Sequence, residues 1–392
     1  MTNLEILHLG DCDTPAFVYD EECLAQSVAA IAAVAEQGNC RLLYTLKSFA
    51  FADVLQVLVT HVDGFAASSL YEARLARDLI GTRGTIHITT PGFRPDEIYT
   101  IVATCDYIAF NSLSQWERFR CIALGRSQCG LRINPQLPLV RDKRYNPCRP
   151  QSKLGVPLKD LTVIADVAPT RLAGVSGLHV HSNCDASDFN GLLATVRRLD
   201  GRLSELLRKM QWINLGGGYL FDEAVSLTPF YEAVELLRSK YNLQVFIEPG
   251  ASIVRKAGYF VSTVLDIFES EGKTVAILDT TVNHMPEVFE YQFEPDILGS
   301  EENGRFTYIL AGCTCLAGDL FGEYTFPEPL GVGSRVVFTN VGAYTLVKAH
   351  MFNGINLPTI YALTKEGRLV MKKRFTYEDF ASRCGVKTSA AM

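Results

Sequence analysis

The sequence predicts an α/β protein: a (β/α)8 barrel followed by an all-β domain. Three observations predict it. Short apolar runs ending in turn-forming or small residues recur eight times between residues 41 and 251. The first five begin about 22 residues apart, the period of a strand with its helix. Past about residue 255 helix-like segments nearly vanish, and strand patterns with hairpin signals replace them. Strand–helix alternation implies parallel strands with right-handed crossovers, and eight such units close into a barrel. A doubly wound open sheet is the competing arrangement.

The elements follow in order. TPAFVYD (14–20) reads as an isolated strand before a helix from Glu21 to about Gln37. The barrel strands are RLLYTLK (41–47), GFAAS (64–68), TIHITTP (85–91), YIAFNS (107–112), CGLRINP (129–135), GVSGLHVHS (174–182), WINLGGGY (212–219) and QVFIEPGA (244–251). Between them lie the helix-like SFAFADVLQVLV, SLYEARLARDLIG, RPDEIYTIVATC, SLSQWERFRCIAL and the long SDFNGLLATVRRLDGRLSELLRKM. YFVSTVLDIFES, KTVAILDTT, RFTYILAG and SRVVFTNVG then read as antiparallel-type strands, with Glu271-Gly272 as a hairpin signal. FTYEDFASRC is a late helix, and the tail VKTSAAM is expected to be disordered. The barrel is therefore expected over 21–255, and the β domain over 1–20 and 256–392.

The chain has 392 residues, 48% of them hydrophobic and 20% charged, with a net charge of −6. That mild acidity argues against a nucleic-acid binder, which would carry a basic stripe. The 11 cysteines include no C-x-x-C pair; the tightest spacing is the C-x-C of Cys313 and Cys315. No signal peptide is apparent in MTNLEILHLGDCDTP, and no apolar run approaches the roughly 18 residues of a membrane span. Reduced cysteines in a cytoplasmic protein are the expectation.

In such a barrel, chemistry gathers at the C-terminal strand ends. Lys47 ends the first strand, where the bland reading is a lysine reaching out to water. His179 and His181 in HVHS face one side of the sixth strand. They suit a metal pair, an imidazole lying against a planar cofactor, or hydrogen-bonded core histidines. Gly216-Gly217-Gly218 can form an anion nest or a plain tight turn. Glu248, after the apolar QVFI, requires a cationic partner if buried. One cofactor uses all four features together. Pyridoxal phosphate needs a lysine for its aldehyde, a nest for its phosphate, and a carboxylate beside its ring nitrogen.

The segments YTLKSF, SSLYEARL, NPCRPQSKLG, GLHVHSNCD, NLGGGY, EPGA, NHMPEV, CTCLAGDLFGEY and GAYTLVKAHMFNG resemble the fold-type-III pyridoxal-phosphate decarboxylases over nearly the whole chain. The likeness is greatest to the carboxynorspermidine/carboxyspermidine branch. The resemblance implies that Lys47 is the Schiff-base lysine and that His181 stacks on the ring. It further implies phosphate contacts from Gly217, Gly218 and Tyr344, and Glu248 beside the ring nitrogen. Cys315 would stand near the α-carbon, and Asp319 near the substrate's distal amine. Glu294 and Glu323 complete the substrate set; no metal is expected. A homodimer with shared active sites is implied, with TPAFVYD joining the β domain.

Two positions depart from the branch. Glu294 stands where a basic residue is expected, and Asp185 follows Cys184 where a glutamate is expected. The implied reaction removes the α-carboxylate of a carboxylated polyamine, giving norspermidine or spermidine. Alternatives are decarboxylation of a related amino acid or aminocarboxypropyl group, a fold-type-III racemase, or a pyridoxal-phosphate binder without turnover. More remote is a metal-dependent hydrolase using His179 and His181.

Overall fold

The computed structural model describes residues 12–386. The expectations for the leader and the tail VKTSAAM lie largely outside those residues. The chain divides into two compact units: Gln26–Ile253, and the chain on either side of it. Strand β1 (Ala16–Asp20) leads into helix α1 (Glu21–Gln37), and the unit boundary falls inside that helix. Asp20 starts it: Oδ1 accepts from the N–H groups of Glu22 and Cys23, each at 2.9 Å.

The Gln26–Ile253 unit is the barrel. Its elements run β2 (Arg41–Thr45), α2 (Ala52–Leu58), β3 (Gly64–Ala67), α3 (Leu70–Ile80), β4 (Thr85–Thr90), α4 (Ile98–Thr104), β5 (Tyr107–Phe110), α5 (Leu113–Ala123) and β6 (Gln128–Asn134). They continue with β7 (Val156–Pro157), α6 (Leu158–Val167), β8 (Gly177–Val180), α7 (Asn190–Leu207), β9 (Trp212–Asn214), α8 (Thr228–Tyr241) and β10 (Gln244–Ile247). The ring order is β5-β4-β3-β2-β10-β9-β8-β6, every pair parallel, and β5 pairs β6 to close it. That closure excludes the open sheet. The two-residue β7 lies alongside β6, outside the ring.

Helices α6 and α8 and strand β7 were not anticipated. For α8 the signals stand in the sequence: Pro229 opens its first turn, and Asn242 ends it in the left-handed conformation at φ 55°. Serine at two strand ends starts the next helix. Ser69 accepts from the Glu72 N–H and Ser112 from the Gln115 N–H.

Parallel strands in register point matched residues to the same side, so the barrel interior fills in layers. The lower layer is aromatic. His87 stacks on Tyr107 at 4.1 Å and 6°, and Tyr107 meets Trp212 and Phe246 edge-on. Gly177 is required there, since a Cβ on it would lie 2.0 Å from Trp212 Cδ2. One level higher, Arg132 of β6, His179 of β8 and Asn214 of β9 are register partners. Polarity thus rises toward the C-terminal mouth.

The flanking unit is the β domain. It continues through α9 (Ala251–Val254), which straddles the boundary, to β11 (Gly258–Ser270), β12 (Lys273–Leu278), α10 (Pro286–Tyr291), β13 (Phe306–Ala311), β14 (Leu320–Phe326), β15 (Arg335–Phe338), β16 (Thr359–Leu363), β17 (Leu369–Lys373) and α11 (Tyr377–Arg383). Its sheet order is β14-β13-β12-β11-β1-β16-β17, with β15 also on β11. The β11–β12 hairpin turns at Glu271 (φ 49°) and Gly272 (φ 82°), both positive as a type I′ turn demands. The expectation of antiparallel strands fails at β12–β13, which pair in parallel. The long 279–305 connection permits a crossover where a tight turn could not. β1 pairs antiparallel with β11 and parallel with β16. Strands β14, β16 and β17 are further additions to the sequence reading.

Candidate active site

The barrel's polar groups converge where β2, β6, β8, β9 and β10 end. Lys47 lies two residues past β2, in the turn that follows the strand. Burial pushes its amine below the usual lysine range, and the Arg132 cation pushes the same way. Glu248, Cys184 and Glu72 oppose that shift. A lysine so depressed holds more of its amine as the neutral nucleophile.

Glu248 is 6% exposed. Burial alone would raise its carboxyl, but His179 and Lys47 beside it outweigh that and hold it down at about 2. Asn214 Nδ2 donates to Oε1 at 2.7 Å, and His179 Nε2 lies 3.4 Å from Oε2. Burial keeps His179 itself neutral, and its Nδ1 is buried without a hydrogen-bond partner. A neutral ring of that description donates from Nε2, which leaves Glu248 as the anion of the pair.

The three glycines answer to packing. A Cβ on Gly217 would meet the Glu248 carbonyl oxygen at 2.2 Å, and one on Gly218 (φ 88°) the Asn183 oxygen at 2.1 Å. A Cβ on Gly216 (φ 68°) would fall 2.7 Å from the Val180 oxygen. Sterics therefore demand all three, so the triplet by itself does not signal a ligand. The Gly216 N–H goes to Asn214 Oδ1 at 2.8 Å. The Gly217 N–H donates to His181 Nδ1 at 3.1 Å, which places the ring proton of His181 on Nε2. Burial, then Lys47 and Arg132, drive the His181 pKa well below its ordinary value. A neutral imidazole is thus oriented by the glycine loop.

Beside Lys47, the Ser48 hydroxyl is fully buried and lacks a partner. Gly250 of the EPG motif makes room for it, since a Cβ there would lie 2.0 Å from Ser48 Oγ. Arg132 was missed by the sequence reading, although CGLRINP carries the signal. Arginine sits mid-strand in an apolar run, in phase with Gly130 and Asn134 on the inward face. Among the described residues, no group of three His, Cys, Asp or Glu side chains could hold a metal ion.

The remaining predicted residues lie in the β domain. Cys315 is exposed, and its N–H donates to Asn353 Oδ1 at 3.1 Å. Asp319 is 2% exposed and fully occupied. Its Oδ1 accepts from the Val282 N–H (2.7 Å) and Thr281 hydroxyl (3.0 Å); its Oδ2 accepts from the Thr314 N–H (3.1 Å) and hydroxyl. The Asp319 carboxylate holds the loop that presents Cys315, and a distal amine of the substrate, expected there from the resemblance, would share its oxygens.

Glu294 packs on Gly322, where a Cβ would lie 2.6 Å from its Cγ, and its Oε1 accepts from the Glu323 N–H at 3.4 Å. Glu323 forms an ion pair with Lys273. Tyr344 adopts φ 57°. Gly342, before it in GAYT, is demanded by a backbone crossing, because a Cβ there would sit 1.8 Å from the Val254 oxygen.

The barrel mouth fits pyridoxal phosphate on its own chemistry. It offers a depressed lysine, a buried carboxylate for a ring cation, a fixed neutral imidazole, and a buried hydroxyl and guanidinium that lack partners among the described residues. Such a mouth defines a pyridoxal-phosphate-binding barrel.

The model of the pyridoxal-dependent decarboxylases' pyridoxal binding domain matches residues 25–255. The carboxyaminopropylagmatine decarboxylase of Synechocystis sp. is 35% identical over 97% of this chain and 98% of its own. The carboxynorspermidine/carboxyspermidine decarboxylase of Campylobacter jejuni is 33% identical over 94% of this chain and 98% of its own. The crystal structure of the Campylobacter jejuni carboxynorspermidine decarboxylase complexed with norspermidine superposes with a TM-score of 0.85 at 30% identity, covering 95% of this chain and all of that one. The chain belongs to the pyridoxal-dependent decarboxylase family.

Proposed function

We propose that this enzyme removes the α-carboxylate of a carboxylated polyamine, carboxynorspermidine or carboxyspermidine, to release norspermidine or spermidine. The observation that carries this reading is the near-full-length identity to a relative named for that reaction. A second reading, a carboxyaminopropyl conjugate of agmatine, draws on the 35% relative and on Glu294. A carboxylate where the branch carries a basic residue suits a substrate with a more cationic distal end.

Bound pyridoxal phosphate supplies the electron sink for the pair left behind when CO2 departs. Lys47 would hold the cofactor by its aldehyde and would give way there to the substrate's α-amine. Glu248 keeps a proton on the ring nitrogen, and the value of that contact grows as negative charge enters the ring. His181, oriented by the Gly217 N–H, braces the ring face. Gly217, Gly218 and Tyr344 would take the phosphate, the Gly217 N–H being shared between it and His181. Cys315 or Lys47 returns a proton to the α-carbon. In this reading the protein is a cytoplasmic homodimer, and residues 1–20 and 256–392 of one chain complete the active site of the other. No helix among the described residues is long and apolar enough to cross a membrane.

Two measurements test the proposal. The purified protein should carry a visible cofactor band that Lys47→Ala removes. CO2 release should be measured on carboxynorspermidine, carboxyspermidine, carboxyaminopropylagmatine, ornithine, lysine and diaminopimelate. Preference for the agmatine conjugate would select the second reading, and turnover of only the last three would overturn both.

A further inference from the structure

The barrel axis below Glu248 carries a line of polar groups that the roles above leave idle. Thr85, His87 and Thr89 alternate along β4, so all three face the barrel interior. His87 and His179 are 4% and 2% exposed. Between their layers lies a cavity of about 10 Å3, whose lining includes His87, Thr89, Ala109, His179, Asn214 and Glu248. That is room for a single water, and buried waters settle where polar groups lack partners. His179 is such a group: its Nε2 lies 3.4 Å from Glu248 Oε2, and its Nδ1 is buried with no partner among the described residues. Thr89 can accept from the same water, because its hydroxyl already donates to the Ala109 oxygen at 3.3 Å.

Below the cavity, His87 Nε2 lies 3.1 Å from Thr85 Oγ1. Half-buried Thr85 in turn lines a cavity of about 700 Å3 at the N-terminal face, whose wall includes the exposed Arg83 and Arg126. Solvent therefore reaches Thr85. Burial holds both histidines neutral, His87 at about 3. Each ring then has one donor and one acceptor nitrogen, as a relay requires. The mouth is the other approach to Glu248, and the cofactor occupies it in the reading above.

We propose that the small cavity binds one water, and that Thr85, His87, this water and His179 form a proton path along the barrel axis from the N-terminal face to Glu248. The protons balance. Thr85 gives its hydroxyl proton to His87 Nε2 and takes one from solvent, while His87 gives its Nδ1 proton to the water. The water gives one of its own to His179 Nδ1, and the Nε2 proton of His179 passes to Glu248. Each ring ends in its other neutral tautomer, Glu248 gains one proton, and the reverse sequence returns it. The path lets the proton that Glu248 shares with the ring nitrogen equilibrate with solvent while the mouth is filled. That use rests on the cofactor reading; the water and the path do not.

The test reads proton exchange rather than turnover. Holoenzyme carrying isotopically labelled histidine is moved into heavy water, and loss of the His179 and His181 ring N–H signals is followed by NMR. His179→Gln and His181→Gln assign the signals, and His181 serves as the control at the mouth. His87→Phe breaks the path and Ala109→Val fills the cavity. Each should slow exchange at His179 by about tenfold or more and leave His181 unchanged. An unchanged His181 also shows that the variants are folded. A high-resolution crystal structure should place one water within hydrogen-bond distance of His179 Nδ1, and Ala109→Val should remove it. With the cofactor removed the mouth becomes a second route, so the effect of His87→Phe should shrink without vanishing. Equal His179 exchange in wild type and both variants would overturn the path, and a dry cavity in wild type would overturn the whole proposal. Equal slowing at His179 and His181 would also overturn it, as a general stiffening of the barrel. Failure to bind pyridoxal phosphate would overturn the cofactor reading alone, since slowed His179 exchange in His87→Phe would still support the path.

Discussion

Replacing Asp319 decides between two roles for one carboxylate. Four donors converge on it: two backbone N–H groups, from Val282 and Thr314, and the hydroxyls of Thr281 and Thr314. The site is dry, with Asp319 at 2% exposure, Val282 at 1% and Thr281 at 0%. Asp319→Ala strands both N–H groups, each costing about 1–3 kcal/mol when buried without a partner. The hydroxyls can rotate to other acceptors, so they add little. A loss of about 3–5 kcal/mol of unfolding free energy follows, near the cost of breaking a buried charged network. Asp319→Asn keeps one oxygen for Thr281 and Val282 and turns an amide toward the Thr314 N–H, so about 1–3 kcal/mol is expected.

The assay is urea unfolding of both variants, paired with KM for the preferred substrate. If Asp319→Ala unfolds within about 1 kcal/mol of wild type while KM rises steeply, the loop-holding role is wrong and the substrate-amine role stands.

Gly217→Ala should weaken cofactor binding at least tenfold and destabilise the barrel by about 1–3 kcal/mol, because its Cβ would lie 2.2 Å from the Glu248 oxygen. Gly92→Ala, with nothing within 4 Å of its Cβ, is the control; equal behaviour of the two in cofactor titrations would contradict the packing account. Burial pushes His87 down to about 3, against about 6.5 in the unfolded chain. The unfolded state therefore binds the extra proton first, and His87 erodes stability as pH falls from about 6.5 toward 3, by up to ~1.4 kcal/mol per pH unit. His87→Phe, which keeps a ring against Tyr107, should flatten the acid limb of stability against pH, and an unchanged limb would refute this.

Much of the barrel was legible because strand–helix alternation is a local pattern with few global solutions. Parallel strands of similar length deliver their ends to one rim, so the sequence alone groups Lys47, His181 and Glu248. The β domain was less legible: nothing local distinguishes the parallel β12–β13 pairing from a hairpin, because only the long connection permits it. The phase of Arg132 in CGLRINP marks it as inward, but nothing local tells a buried guanidinium from a strand charge that reaches water.

By itself, the sequence determined the alternation, the family motifs and the positions where chemistry-bearing side chains leave their strands. Those follow from periodicity and residue type, which act over a few residues. Tertiary structure alone decided what each charge faces. It gave Asp319 four internal donors, set Asn214 and His179 against Glu248, and left Arg132 without an acceptor among the described residues. The physical reason is that burial and hydrogen-bond partners arise from segments far apart in the chain, and solvation energy depends on those neighbours rather than on the residue's own sequence context.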